Sequence, residues 1–100
     1  MKPLVRQHLE LLRSEYERRP YAELVAMKGQ ELAMMELDSR AYQPSVFTEC
    51  YQGKLLLIVE LRRKRLLGFG SADCLGSIIA KTGVIEQVDE EFLWREIGHP

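Results

Sequence analysis

Four consecutive cations, Arg62, Arg63, Lys64 and Arg65, are the strongest chemical feature of this chain. Guanidinium forks match the geometry of phosphate and carboxylate, so the run is a candidate anion-binding element. With Tyr51 or Phe69 as a stacking ring it would also suit single-stranded RNA. A basic turn has a second use, since it keeps a hairpin end soluble and blocks edge pairing. The whole chain offers nucleic acid no bulk attraction, because 14 Lys and Arg stand against 15 Asp and Glu for a net charge of −1. Nucleic acid is therefore the lesser expectation for this run.

Metal and nucleophile chemistry find fewer residues. Cys50, Cys74, His8 and His99 contain no pair at the short spacing of structural zinc sites, so no metal is expected. In a strand, Glu49 points to the face opposite Cys50 and cannot activate it. Asp73 beside Cys74 raises a thiol's pKa and so works against a nucleophile. Asp89, Glu90 and Glu91 are the acids that a helix dipole draws into a first turn. Gly68, Gly70 and Gly76 lack the strand, loop and helix order of a phosphate loop and read as points of sheet curvature or of close packing of a helix against the sheet. No catalytic residue and no cofactor site is expected, and the chain does not read as an enzyme.

Docking is the remaining chemistry. Trp94 beside Arg95 combines two residue types enriched at protein interfaces, and Tyr51 joins them as a candidate contact. Met27, Met34 and Met35 offer adaptable thioethers, although filling of a core is their expected role.

These residues depend on the elements that carry them. Val5, Leu9, Leu12 and Tyr16 recur at helical spacing and predict a helix over 4–19, with Pro3 in its first turn and Pro20 after its end. Glu15 with Arg19 and Arg13 with Glu17 read as i,i+4 pairs on its wet face. A short second helix runs from Pro20 through Lys28, sets Tyr21, Leu24 and Val25 on one face, and closes at Gly29 in a left-handed cap. Residues 31–38 read as a strand, with helix as the alternative favoured by Leu, Ala, Met and Glu. Tyr42 to Tyr51 alternates as a strand, and Pro44 points to an edge. Gln52-Gly53 turns the chain into 54–63, apolar on both faces and therefore central, after which the basic run forms a tight connection. Residues 66–80 predict one bulged strand or two short ones. Thr82-Gly83 turns into a last strand over 84–88, and Asp89 caps a closing helix whose apolar surface is Phe92, Leu93, Trp94 and Ile97. The sum is a single α+β domain over 1–100: an N-terminal helix and a short second helix packed on a four- to five-stranded antiparallel meander sheet, with a short C-terminal helix. The helices are expected on one face.

The order of Arg19-Pro20-Tyr21-Ala22-Glu23-Leu24, then Val46-Phe47, then Leu55 to Val59, then the Gly83 turn resembles small uncharacterised bacterial α+β proteins. In those a helix leads through a Pro-Tyr-x-x-Leu corner into antiparallel strands. The resemblance implies a compact α+β domain and brings no functional residue with it.

Charged and polar residues between Lys2 and Glu10 interrupt any signal-peptide core, and Leu55 to Val59, the longest apolar run, is far below the ~20 residues of a membrane span. The expected setting is the cytoplasm, with reduced thiols and no membrane. The expected function is a non-enzymatic protein-interaction domain of regulatory or immunity type. It would dock a protein partner, or a second copy as a homodimer, through a sheet edge or the closing helix. The alternative is RNA or anionic-ligand binding through Arg62 to Arg65.

Overall fold

The computed structural model describes residues 1–65 and 68–97, with the side chains of all of these except 64, 65, 68, 69, 71 and 97. Val5, Leu9, Leu12 and Tyr16 form the buried stripe of α1 (Pro3–Glu17), and Pro3 takes a first-turn position where its missing N–H costs nothing. After Pro20 comes α2 (Tyr21–Ala26), shorter than its sequence predicts. Met27 is already extended, Val25 is exposed, and Leu24 is its buried anchor. Gly29 is not left-handed; the extended chain passes Phe47 there, where a Cβ would meet the Phe47 Cβ at 3.4 Å.

The strand expected over 31–38 is two short ones, β1 (Gln30–Glu31) and β2 (Met35–Leu37), both antiparallel to β3 (Arg40–Tyr51). The break between them lies against Pro44, which has no N–H for a ladder. There the Pro44 carbonyl accepts the Leu32 N–H, and the Gln43 side-chain amide donates to the Leu32 carbonyl. Pro44 therefore marks a gap in the edge, while the edge itself is made by β1 and β2.

Gln52 (φ 47°) and Gly53 (φ 75°) are both left-handed, as a two-residue hairpin requires, and lead into β4 (Lys54–Arg65). β5 (Gly68–Ile79) pairs with β4 as a single strand whose register shifts between Arg62 and Lys64. Ile85–Val88, β6, closes the sheet. The order is β1-β3-β4-β5-β6, with β2 beside β3, so six strands replace the four or five expected. The fold is α+β with an antiparallel sheet, an N-terminal helix and a short C-terminal helix, α3 (Glu90–Ile97).

The helices do not share a face. Leu55, Leu57, Val59 and Leu61 of β4 pack with Val46, Leu75 and Ile79 against α1 and Leu24 of α2. Leu56 and Ile58 point the other way, and with Cys74 and Ile78 they meet Leu93 of α3. The reason is in β4 itself: a strand apolar on both faces needs a layer on each. α3 begins as read, with Asp89 Oδ1 accepting the Phe92 N–H at 3.0 Å.

Arg13 and Glu17 do not lie on a wet face either. Arg13 is buried, and its Nη1 donates to the carbonyls of Gly76 (3.2 Å) and Val88 (3.4 Å). Glu17 accepts from the Ser77 hydroxyl and the Gln87 amide. These bonds join α1 to the β5–β6 edge, because both residues stand next to the Leu9, Leu12 and Tyr16 stripe. Among the described residues the i,i+4 ion pairs are Arg6 with Glu10, Arg19 with Glu23 and, in α3, Arg95 with Glu91. Arg19 also lies 4.0 Å over the Tyr16 ring. Among the described residues no helix is long and apolar enough to cross a membrane.

Candidate anion-binding cleft

Arg62, Arg63, Lys64 and Arg65 belong to β4 and not to the connection after it. Successive strand residues face opposite ways, so the run is not one patch. Arg62 lies on the α3 face and its Nη2 meets Oε1 of the buried Glu60 at 3.1 Å. Arg63 lies on the α1 face, opposite Tyr42. The side chains of Lys64 and Arg65 lie outside the described residues, as do Leu66 and Leu67. Tyr51 is no stacking partner for the run. It pairs with Lys54, roughly 27 Å along the strand from Arg62 at about 3.4 Å per residue. Its ring instead meets Phe92 edge-on, with centroids 5.6 Å apart, and helps seat α3 on the sheet.

Arg63 lines a cleft of about 500 Å³ together with Met1, Lys2, Pro3, Val5, Arg40, Tyr42 and Asp73. Four pieces of backbone bring these side chains together. Lys2 is the N-cap of α1, whose first turn has no acidic residue and no side-chain cap, so the positive end of the helix dipole is uncompensated there. Arg40 opens β3 after Asp38 and Ser39, both left-handed at φ 50° and 62°. Arg63 keeps its regular pairing with Tyr42 and stands opposite the register shift, where β5 carries one extra residue. Asp73 comes from β5, opposite Leu61.

The electrostatics are one-sided. Three cationic side chains face one carboxylate, and none of the four takes part in an ion pair among the described residues. Tyr42 is only 4% exposed, and its hydroxyl has no hydrogen-bond partner among the described residues. Arg and Lys donors beside a phenol and an open helix N-terminus are what an anion needs. Of these residues the sequence singled out Arg63. Lys2 and Arg40 carry no local signal beyond standing before a helix start and after a turn.

The other candidates fall elsewhere. Trp94 is 58% exposed on α3, and Arg95 pairs with Glu91 (3.9 Å) and Glu96 (3.5 Å). Met27 and Met35 pack against the core, whereas Met34 is exposed. His8 is half-buried; His99 lies outside the described residues. Among the described residues no three His, Cys, Asp or Glu side chains gather as a metal would need.

Cys74 is buried, and burial above all pushes its thiol up to about 12, with Glu90, Glu60 and then Asp73 adding to the shift. Cys50 is exposed. A thiol reagent at neutral pH is therefore expected to label Cys50 in the native protein and to reach Cys74 only after denaturation. Two fast thiols in the native state would contradict this burial. The unfolded thiol ionises near 9.0 while the folded one keeps its proton, so the folded state binds more protons and stability falls as pH climbs from 9.0 towards about 12.

Comparison with protein-family models, with curated proteins and with solved structures yields no match to this chain.

Proposed function

We propose that this domain is a non-enzymatic binding module whose ligand is an anion held between Lys2, Arg40 and Arg63. One observation carries the reading: three cationic side chains without ion pairs among the described residues line one cleft with the buried Tyr42, and a single carboxylate lies among them. Clustered like charges cost folding free energy, and a bound anion returns it by mass action. The anionic ligand expected at Arg62 to Arg65 thus moves from a basic turn to a cleft that uses Arg63 alone of that run. Inorganic phosphate at low salt is expected to shift the backbone amides around Arg40, Arg63 and the start of α1. Arg63→Gln or Arg40→Gln should weaken it at least tenfold, and Arg95→Gln should leave it unchanged. Saturating phosphate that moves none of these amides would remove the proposal. The two free cysteines, one exposed and one buried, support a cytoplasmic setting.

A second reading, a protein-interaction domain of regulatory or immunity type, is favoured by the exposed indole of Trp94 and by Val84 and Ile85, exposed at the β6 edge. A second copy of the chain is the occupant to test. Trp94 is the only tryptophan, so its emission reports directly on the surface. Self-association is expected to move that emission to the blue and to double the mass as concentration rises, both being lost in Trp94→Ala. Constant mass and emission up to millimolar protein would remove the homodimer.

A further inference from the structure

We infer that the anion taken by the cleft is amphiphilic, a phosphomonoester whose ester group is a small apolar moiety; this rests on the anion-binding reading above. A second pocket of about 220 Å³ shares Lys2, Pro3, Val5 and Tyr42 with the cleft and adds Leu4, Leu37 and Asp38. The two spaces therefore adjoin across one wall, cationic on the Arg40 and Arg63 side and apolar on the Leu4 and Leu37 side. Leu4 is 49% exposed in the first turn of α1, where helical spacing turns it away from the core stripe that contains Val5. Leu37 ends β2 and is only partly covered by the core. Water against the Pro3, Leu4, Val5 and Leu37 side chains finds few polar partners, which favours its replacement by a ring or short alkyl group.

Charge selects the head group. The side chains of Lys2, Arg40 and Arg63 against Asp73 leave two positive charges, to which the amino group of Met1 on the same lining adds, so a phosphomonoester at about −1.5 to −2 near neutral pH suits the cleft better than a monoanion. A monocarboxylate would leave at least one of those charges unbalanced. Asp38 stands on the apolar pocket and repels a second anionic group placed there, which disfavours diphosphates and a polyanionic strand such as RNA.

The test is an amide chemical-shift titration of the full chain with inorganic phosphate, phenyl phosphate and benzoate. Phenyl phosphate is expected to bind at least tenfold more tightly than inorganic phosphate. Amides near Arg63 should move with both, and those of Leu4, Leu37 and Asp38 with phenyl phosphate alone. Leu4→Ser, at a half-exposed position that the fold tolerates, should cut the advantage of phenyl phosphate to threefold or less and leave inorganic phosphate unchanged. Equal affinity for the two phosphates overturns this inference and leaves the anion-binding reading standing. Benzoate binding as tightly as phenyl phosphate overturns the dianionic head group. Binding of neither phosphate overturns both readings.

Discussion

Leu9→Ala is expected to lower the unfolding free energy by about 2–5 kcal/mol, while Leu11→Ala, which removes the same atoms two positions further on, changes it by about 0.5 kcal/mol or less. Leu9 is 0% exposed and belongs to the core cluster with Leu57, Val59 and Leu75, whereas Leu11 is 64% exposed. Truncating Leu9 leaves a cavity between α1 and a rigid sheet that cannot collapse to fill it. Against a total of about 5–15 kcal/mol for a domain of this size, that loss is a large fraction of what holds the fold. Urea unfolding followed by far-UV circular dichroism measures both variants, and an unchanged slope would show that the midpoint shift is a stability change. Similar midpoints for the two would mean that α1 docks by another face. The consequence reaches the cleft, since docking of α1 is what carries Lys2 to Arg40 and Arg63.

Gly76→Val is the second large effect, expected at about 1–3 kcal/mol of destabilisation from overpacking. A Cβ at Gly76 would lie 3.0 Å from the Leu57 carbonyl oxygen, 3.1 Å from Val88 Cγ2 and 3.3 Å from Leu93 Cδ2. The two side chains can give by a few tenths of an ångström. The carbonyl cannot, because it is part of the β4–β5 pairing in the middle of the sheet. Valine's better strand propensity opposes the loss, but that scale spans only about 1 kcal/mol. Because Leu93 is the buried anchor of α3, the strain should show first as loosening of that helix. Faster amide exchange in 90–97 and labelling of native Cys74 are the expected signs. A valine variant as stable as the parent, with Cys74 still protected, would show that α3 does not press on the sheet at this point.

α1, the two-residue turn at Gln52-Gly53, the strand on each side of it and the Asp89 cap are all set by the sequence itself. Each follows from a local rule: helical spacing of apolar residues, a backbone that needs φ above zero, alternation on a pleat, or a carboxylate within reach of a free N–H. The two apolar faces of β4 likewise imply two covering layers. Which helix covers which face is a matter of where α3 lands after β6, and no spacing rule contains that. The same limit explains Arg13 and Glu17, whose i,i+4 spacing suits a surface pair but whose place beside the core stripe turns them to the Gly76 and Val88 carbonyls and to Ser77 and Gln87. The basic run is a cluster in the sequence and two opposed faces in the strand, because a pleat has a period of two. The cleft is its converse. Lys2, Arg40 and Arg63 are remote along the chain and become neighbours only because the start of α1 crosses the ends of β3, β4 and β5. Local residue types determine the elements of this protein, and tertiary packing, driven by burial of both faces of β4, determines which of its charges meet.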